Sequence, residues 1–168
     1  MKPHRLPFAL SLVLLAGNAA ASDPNPLQTG AWPVAANRIA GYWQVKVMVG
    51  PCQGGPVNTF LGLNMFHAGG TVSDTNTFAP GSRGPGMGVW TYLGSGRRGE
   101  SRYKNHFQFP RFLPDGSFDG LQDVRNDITL QPGGKTWTGV TRARVLNADG
   151  SLRVEVCGNG LANRITVD

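Results

Sequence analysis

The chain predicts an all-β fold, an eight-stranded antiparallel up-and-down barrel, on three observations. Apolar residues alternate with polar ones at a period of two rather than 3.6. Short clusters of Gly, Pro, Asp and Asn separate most of the alternating runs. Twelve prolines and 24 glycines, spread through 168 residues, leave no stretch suited to a long helix.

The first strand runs from about Ile39 to Val49, with Trp43, Val45, Val47 and Val49 in alternation. The second, Val57 to Phe66, ends at the turn signal Ala68-Gly69-Gly70. A polar, Thr-rich third strand covers Thr71 to Phe78, and the Pro/Gly loop "APGSRGPG" leads to a fourth at Met87 to Leu93. The fifth, Arg98 to Phe112, puts Tyr103, Asn105, Phe107 and Phe109 on one face. After Pro114-Asp115-Gly116 comes Ser117 to Leu130, with Val124, Ile128 and Leu130 sharing a face. Pro132-Gly133-Gly134 and Ala148-Asp149-Gly150 bound the seventh strand, Thr136 to Leu146, and open the last, Ser151 to Val167. Eight short-linked strands form a meander, and closing it into a barrel removes both exposed edges. A β-sandwich would want longer crossovers. An eight-stranded interior either fills with side chains or holds one small ligand.

The N-terminus reads as a signal peptide over residues 1–21. Lys2 and Arg5 precede an apolar run from Phe8 to Ala16, and Ala19-Ala20-Ala21 supplies the small residues of a cleavage site. The run is shorter than the roughly 20 residues that span a bilayer, and no later segment is apolar enough to cross as a helix. Cleavage after about Ala21 predicts a secreted or periplasmic protein. Residues 22–38, rich in Pro, Ala and Asn, are expected to be a flexible arm, and 39–168 a single domain. The leader holds two of the 16 basic residues and none of the ten acidic ones, so the rest carries a net charge of +4. Its arginines are scattered rather than clustered among aromatics, which speaks against nucleic acid as a partner. Two cysteines, Cys52 and Cys157, are expected to pair in an oxidising compartment. The bridge would close a loop of 105 residues, worth about 4.7 kcal/mol in the chain-entropy model.

Gly41-Tyr42-Trp43 resembles the GxW signature of the calycins, the lipocalins, fatty-acid-binding proteins and avidins. The resemblance implies that Trp43 closes one end of a barrel and that an Arg late in the last strand, Arg164 here, packs across it. A geometric check is independent of the family. If the first and last strands pair antiparallel through a Cys52–Cys157 bridge, partners sum to about 209. That places Trp43 opposite Thr166, within two residues of Arg164. The segments "TFLGLNMFHAGGTVSDT", "RGPGMGVW" and "CGNGLANRI" are similar to a group of exported bacterial proteins with FHAGGT and PGxGVW motifs, over about Gly41 to Ile165. That group brings no activity with it. Its members often read "PGHGVW", so chemistry resting on that His is missing here, where Met87 stands.

No catalytic constellation is evident. His67, at the end of the second strand, is placed at a barrel mouth, where an imidazole could act as acid, base or ligand, or simply bind a turn. His106 falls on the face opposite Tyr103 and Phe107, facing out. Asp119, Asp123, Arg125 and Asp127 share a face of the sixth strand. They read as an outward charge ladder, or as a cluster in which Asp123 and Arg125 could polarise a substrate. Metal ligation lacks any paired His or Cys spacing. Asp115 and Asp149 sit in "PDG" and "ADG" as turn formers. "GPGMG" is not flanked as a nucleotide loop requires. No cofactor is implied.

These observations lead to a binding module for a small apolar or amphipathic molecule. Its expected lining is Phe60, or Leu61 and Leu63, from the second strand, with Tyr103, Phe107 and Phe109 from the fifth. Val124 and Ile128 follow from the sixth, and His67, Asn105 and Asn126 are the polar handles. Biotin binding of the avidin kind would need a denser polar lining. Two alternatives stand beside it: an enzyme of allene oxide cyclase or dirigent type that positions a bound apolar substrate, and a packed structural barrel without ligand.

Overall fold

The strands named by alternation form in the computed structural model, which describes residues 34–167. They are β1 (Gly41–Pro51), β2 (Asn58–Phe66), β3 (Thr71–Asn76), β4 (Gly86–Ser95), β5 (Ser101–Phe112), β6 (Phe118–Leu130), β7 (Thr136–Leu146) and β8 (Leu152–Arg164). Each pairs antiparallel with the next, and β1 pairs with β8, so the sheet closes into a barrel. This is the architecture that the calycin resemblance implies. The turn signals act as expected: Gly116, Gly134 and Gly150 take φ of +83°, +69° and +84°. The Asp115 and Asp149 carboxylates accept the backbone N–H two residues on, both at 2.9 Å. Strand β3 stops at Asn76 rather than Phe78, because the Asn76 side chain accepts the Phe78 N–H and turns the chain out of the ladder.

One end of the barrel is sealed. Trp43 is fully buried there, and its indole N–H donates to the Ile39 carbonyl at 2.8 Å. The Arg164 guanidinium lies 4.2 Å from the Trp43 ring centroid. It donates to the carbonyls of Gly134 at 2.8 Å, Ala40 at 2.7 Å and Arg38. Gly41 makes room for this: its φ is +130°, and a Cβ would sit 2.6 Å from Arg164 Nη1. Below the clasp, Trp90 stands edge-on between Phe66 and Tyr103.

A short 3-10 helix, Ala36–Ile39, lies across this end with Ala36 and Ile39 buried. The Tyr103 hydroxyl donates to the Ala35 carbonyl at 3.2 Å, and Arg38 donates to Gly99 O and Ser101 Oγ, each at 3.1 Å. Of the described part of the expected arm, residues 34–38, Val34 and Ala35 are exposed, whereas Ala36 is buried and Arg38 is tied to two hairpin turns, at Gly99 and at Pro132. Residues 22–33 and the signal peptide at 1–21 lie outside the described residues.

Cys52 and Cys157 are disulfide-bonded, as an oxidising compartment permits. The register differs by two from the expected one. Trp43 pairs directly with Arg164 and Gly50 with Cys157. The ladder ends at Pro51, and the Cys52 N–H bonds to Glu155 O, so the bridge runs diagonally from the turn beyond the strand. The Trp–Arg contact is thus tighter in register than the cysteines alone suggest. No helix among the described residues is long and apolar enough to cross a membrane.

Breaking the clasp should cost stability without altering the sheet. Arg164→Ala is expected to lower the unfolding free energy by about 2–4 kcal/mol, from three charged hydrogen bonds and the stacked indole. On the exposed outer face, Lys46→Ala should change it by less than about 0.5 kcal/mol. Urea denaturation of both variants reads the contrast, and equal effects would remove the clasp from this account.

Candidate functional site

Below the sealed end the barrel is hollow. A cavity of about 340 Å³ lies between the strands and reaches the surface at the opposite end, beside Pro51, Asn58 and Phe78. The volume stands at the small end of the roughly 300–1,000 Å³ usual for ligand pockets. Inward residues from β1, β5, β6 and β7 give it apolar walls, among them Val45, Val47, Phe107, Phe109, Val124 and Ala143. Phe60 and Phe78 meet at 4.5 Å between ring centroids near the mouth. The inward positions at Gly62 and Gly160 carry no side chain, which leaves room for Val45, Val47 and the Trp137 ring to pack over them along the cavity wall.

Two polar groups interrupt this lining. The first is a chain across β5, β6 and β7. Thr141 Oγ1 donates to Asn126 Oδ1 at 2.6 Å, and Asn126 Nδ2 donates to Asn105 Oδ1 at 2.7 Å. The second is an ion pair. Arg83, from the loop before β4, donates from Nη2 to Asp74 Oδ1 at 2.7 Å, and both side chains are buried. Asn64 Nδ2 donates to Asp74 Oδ2 at 2.7 Å. The guanidinium lies over Phe109, its central carbon 3.7 Å from the ring centroid. The loop is held inward by the Gly84 N–H, which bonds to Pro110 O. Gly86 leaves the pair its space, since a Cβ there would meet Asp74 and Arg83 Nη2 at 2.9 and 3.1 Å.

Burial pushes the Asp74 carboxyl up from 3.8 to about 6, against the pull of the Arg83 charge and the bonds from Arg83 and Asn64. A perturbed carboxyl beside a guanidinium in an enclosed apolar site can hold a polar group or exchange a proton.

The expected site residues divide. Phe60, Phe107, Phe109, Val124 and Asn126 line the cavity. Asn105 is buried behind it as the end of the polar chain. Tyr103 and Ile128 belong to the packed layer under the 3-10 helix and do not reach the lining. Leu61 and Leu63 point outward, because β2 pairs with β1 so that Gly62 and Asn64 face in. His67 is exposed, with Ser73 Oγ at 3.0 Å from its Nε2, and it stands at the sealed end rather than at the mouth. The physical reason is simple: the end of β2 lies beside the start of β1, where Trp43 and Phe66 are buried.

Asp123 and Arg125 lie on the outer face, in a recess of about 560 Å³ over β4 to β8. Asp123 accepts from Gln108 at 2.8 Å, lies 2.8 Å from His106 Nε2, and pairs with Arg125 at 3.4 Å. Burial works to raise its pKa, but these partners outweigh it and hold the carboxyl below the usual range. The recess is wider than the inner cavity and shares Asn126, Ala143 and Val156 with its lining. Its rim is solvent-exposed Lys104, Arg125 and Asp127, and ion pairs so exposed hold little. Among the described residues no group of three His, Cys, Asp or Glu side chains is placed to hold a metal ion.

No protein-family model matches the sequence, and no curated protein matches it. Among solved structures, the S-type phycobiliprotein lyase CPES from Guillardia theta is similar at 7% identity. The likeness covers 79% of this chain and 91% of that chain, with a TM-score of 0.40. At that score it says nothing about what this barrel holds.

The Asp74 shift fixes a pH dependence. A carboxyl with a higher pKa folded than unfolded binds its proton more tightly in the native state. Its contribution to stability is full below about pH 4 and is lost as pH rises through about 6. Two pKa units amount to about 3 kcal/mol. Carboxyl NMR should find the Asp74 midpoint near 6, and Asp74→Asn should flatten the stability slope between those limits. A midpoint near 4 would show that Arg83 outweighs burial.

Proposed function

We propose that this protein is an exported barrel that holds one small apolar or amphipathic molecule in its interior. The observation that carries this reading is the cavity of about 340 Å³, apolar in its walls, open at one end and bearing two fixed polar groups. Pockets that bind small molecules combine an apolar lining with a few polar groups that set orientation. A fully packed barrel with a purely structural role would leave no open space of this size between its apolar walls. The Cys52–Cys157 bridge fits a protein that works outside the cytoplasm.

One observation favours a second reading, an enzyme of allene oxide cyclase or dirigent type. Asp74, at about 6, is a carboxyl able to give and take a proton near neutral pH inside the cavity. Carrier and enzyme share the pocket and differ in whether the bound molecule leaves unchanged, which mass spectrometry of the released compound decides.

Uptake of the neutral fluorophore N-phenyl-1-naphthylamine tests the shared part. Wild-type protein should enhance its emission with one site per chain. Ala143→Phe, which extends a ring into the cavity, should abolish the enhancement while the circular dichroism stays unchanged. Wild-type protein that takes up no fluorophore would sink the reading.

A further inference from the structure

We infer that the cavity takes an uncharged apolar molecule bearing a hydrogen-bond acceptor, such as a ketone or ester oxygen, and that Arg83 holds that oxygen while Asp74 holds Arg83. The inference rests on the carrier reading above and names the chemistry of its ligand.

Charge comes first. Among the residues lining the cavity, Asp74 and Arg83 are the two that carry charge, and they neutralise each other at 2.7 Å. An ionised ligand would bring a net charge into a low-dielectric space with no counter-charge left to meet it, which is costly. A neutral molecule meets no such penalty.

Hydrogen bonding comes second. Arg83 donates from Nη2 to Asp74 and from Nε to its neighbour Gly84 O at 3.0 Å, but Nη1 is buried without a partner. The side chain is 4% exposed. Trp137 Nε1, from the same lining, is likewise buried without a partner. Both are donors. The charged acceptor of the pair is already engaged, Asp74 Oδ1 by Arg83 and Asp74 Oδ2 by Asn64, and Asn126 Oδ1 is taken by Thr141. A buried donor with no acceptor loses most of what water gave it. The complement of this wall is an acceptor.

Rigidity comes third. The guanidinium is held over Phe109, tied to Asp74 and anchored in a loop pinned by Gly84 to Pro110. A donor fixed this way gives its hydrogen bond without a further loss of rotamer freedom. Asp74 acts here as a positioning residue, through Arg83.

The test is a series with one chain and four head groups: nonane, nonan-2-one, nonanoate and nonylamine. Each displaces N-phenyl-1-naphthylamine from wild-type protein at about pH 7.5, where Asp74, with its pKa of about 6, is ionised. The ketone is expected to bind about tenfold more tightly than the alkane and than either ion. In the double variant Asp74→Asn/Arg83→Met, titrated directly by calorimetry, the ketone should bind no more tightly than the alkane. Ketone and alkane binding equally, or nonanoate or nonylamine binding most tightly, overturns the inference and leaves the carrier reading standing. Wild-type protein that takes up no fluorophore overturns both. If the double variant does not fold, the wild-type series decides alone.

Discussion

Everything in this barrel hangs from the contact of Arg164 with Trp43. The two residues are cross-strand partners on the first and last strands, so their contact joins the chain's two ends at the line where the sheet closes. An open eight-stranded meander would keep two edges of unpaired backbone groups. Closure removes both, and the clasp sets its register. The same guanidinium binds carbonyls of Arg38 and Ala40 before β1 and of Gly134 between β6 and β7. One side chain thereby fixes the 3-10 helix, the seam and a distant turn. The disulfide, two residues out of direct register, reinforces the seam toward the other end.

Concentrating the packing at one end has a consequence for the other. The large buried side chains, Trp43, Tyr103, Phe66, Ile39 and Leu130, gather at the sealed end. Burial of such side chains is worth about 1.5–3 kcal/mol each. The sealed half can therefore carry the fold while the half above it stays hollow. Small inward residues at Gly62, Gly160 and Ala143 then cost little, because the strands that bear them are held from below.

The fold was legible because two signals with separate physical origins agree. Period-two alternation marks strands, and glycine-bearing turns mark where they end. The site was legible only where a strand shows one clearly apolar face, as at Phe107, Phe109 and Val124. Strand β2 misleads because its outward residues, Leu61 and Leu63, are more apolar than the inward Gly62 and Asn64. In β3, Ser73, Asp74, Thr75 and Asn76 are polar on both faces, so alternation gives no direction and does not mark Asp74 as inward. Arg83 lies in a loop whose path depends on Pro110, 27 positions away. The position of His67 follows from hairpin geometry. A hairpin lays the end of β2 against the start of β1, and Trp43 already marked that end as closed.

The Asp74–Arg83 pair is hard to explain by stability. Two charges removed from water recover only part of their hydration through each other, and an apolar pair of the same size often serves a fold as well or better. Asp74 reflects that balance, since burial outweighs its partners and lifts its pKa. The sealed end, meanwhile, already has its own apolar core and clasp, and the pair adds nothing there. What the pair does supply is a guanidinium with its charge cancelled, held over the Phe109 ring and with one nitrogen left without a partner. Cancelling the charge while keeping the donor gives the cavity polarity without an electrostatic field. That combination suits a molecule which is mostly hydrocarbon and carries a single oxygen to be held.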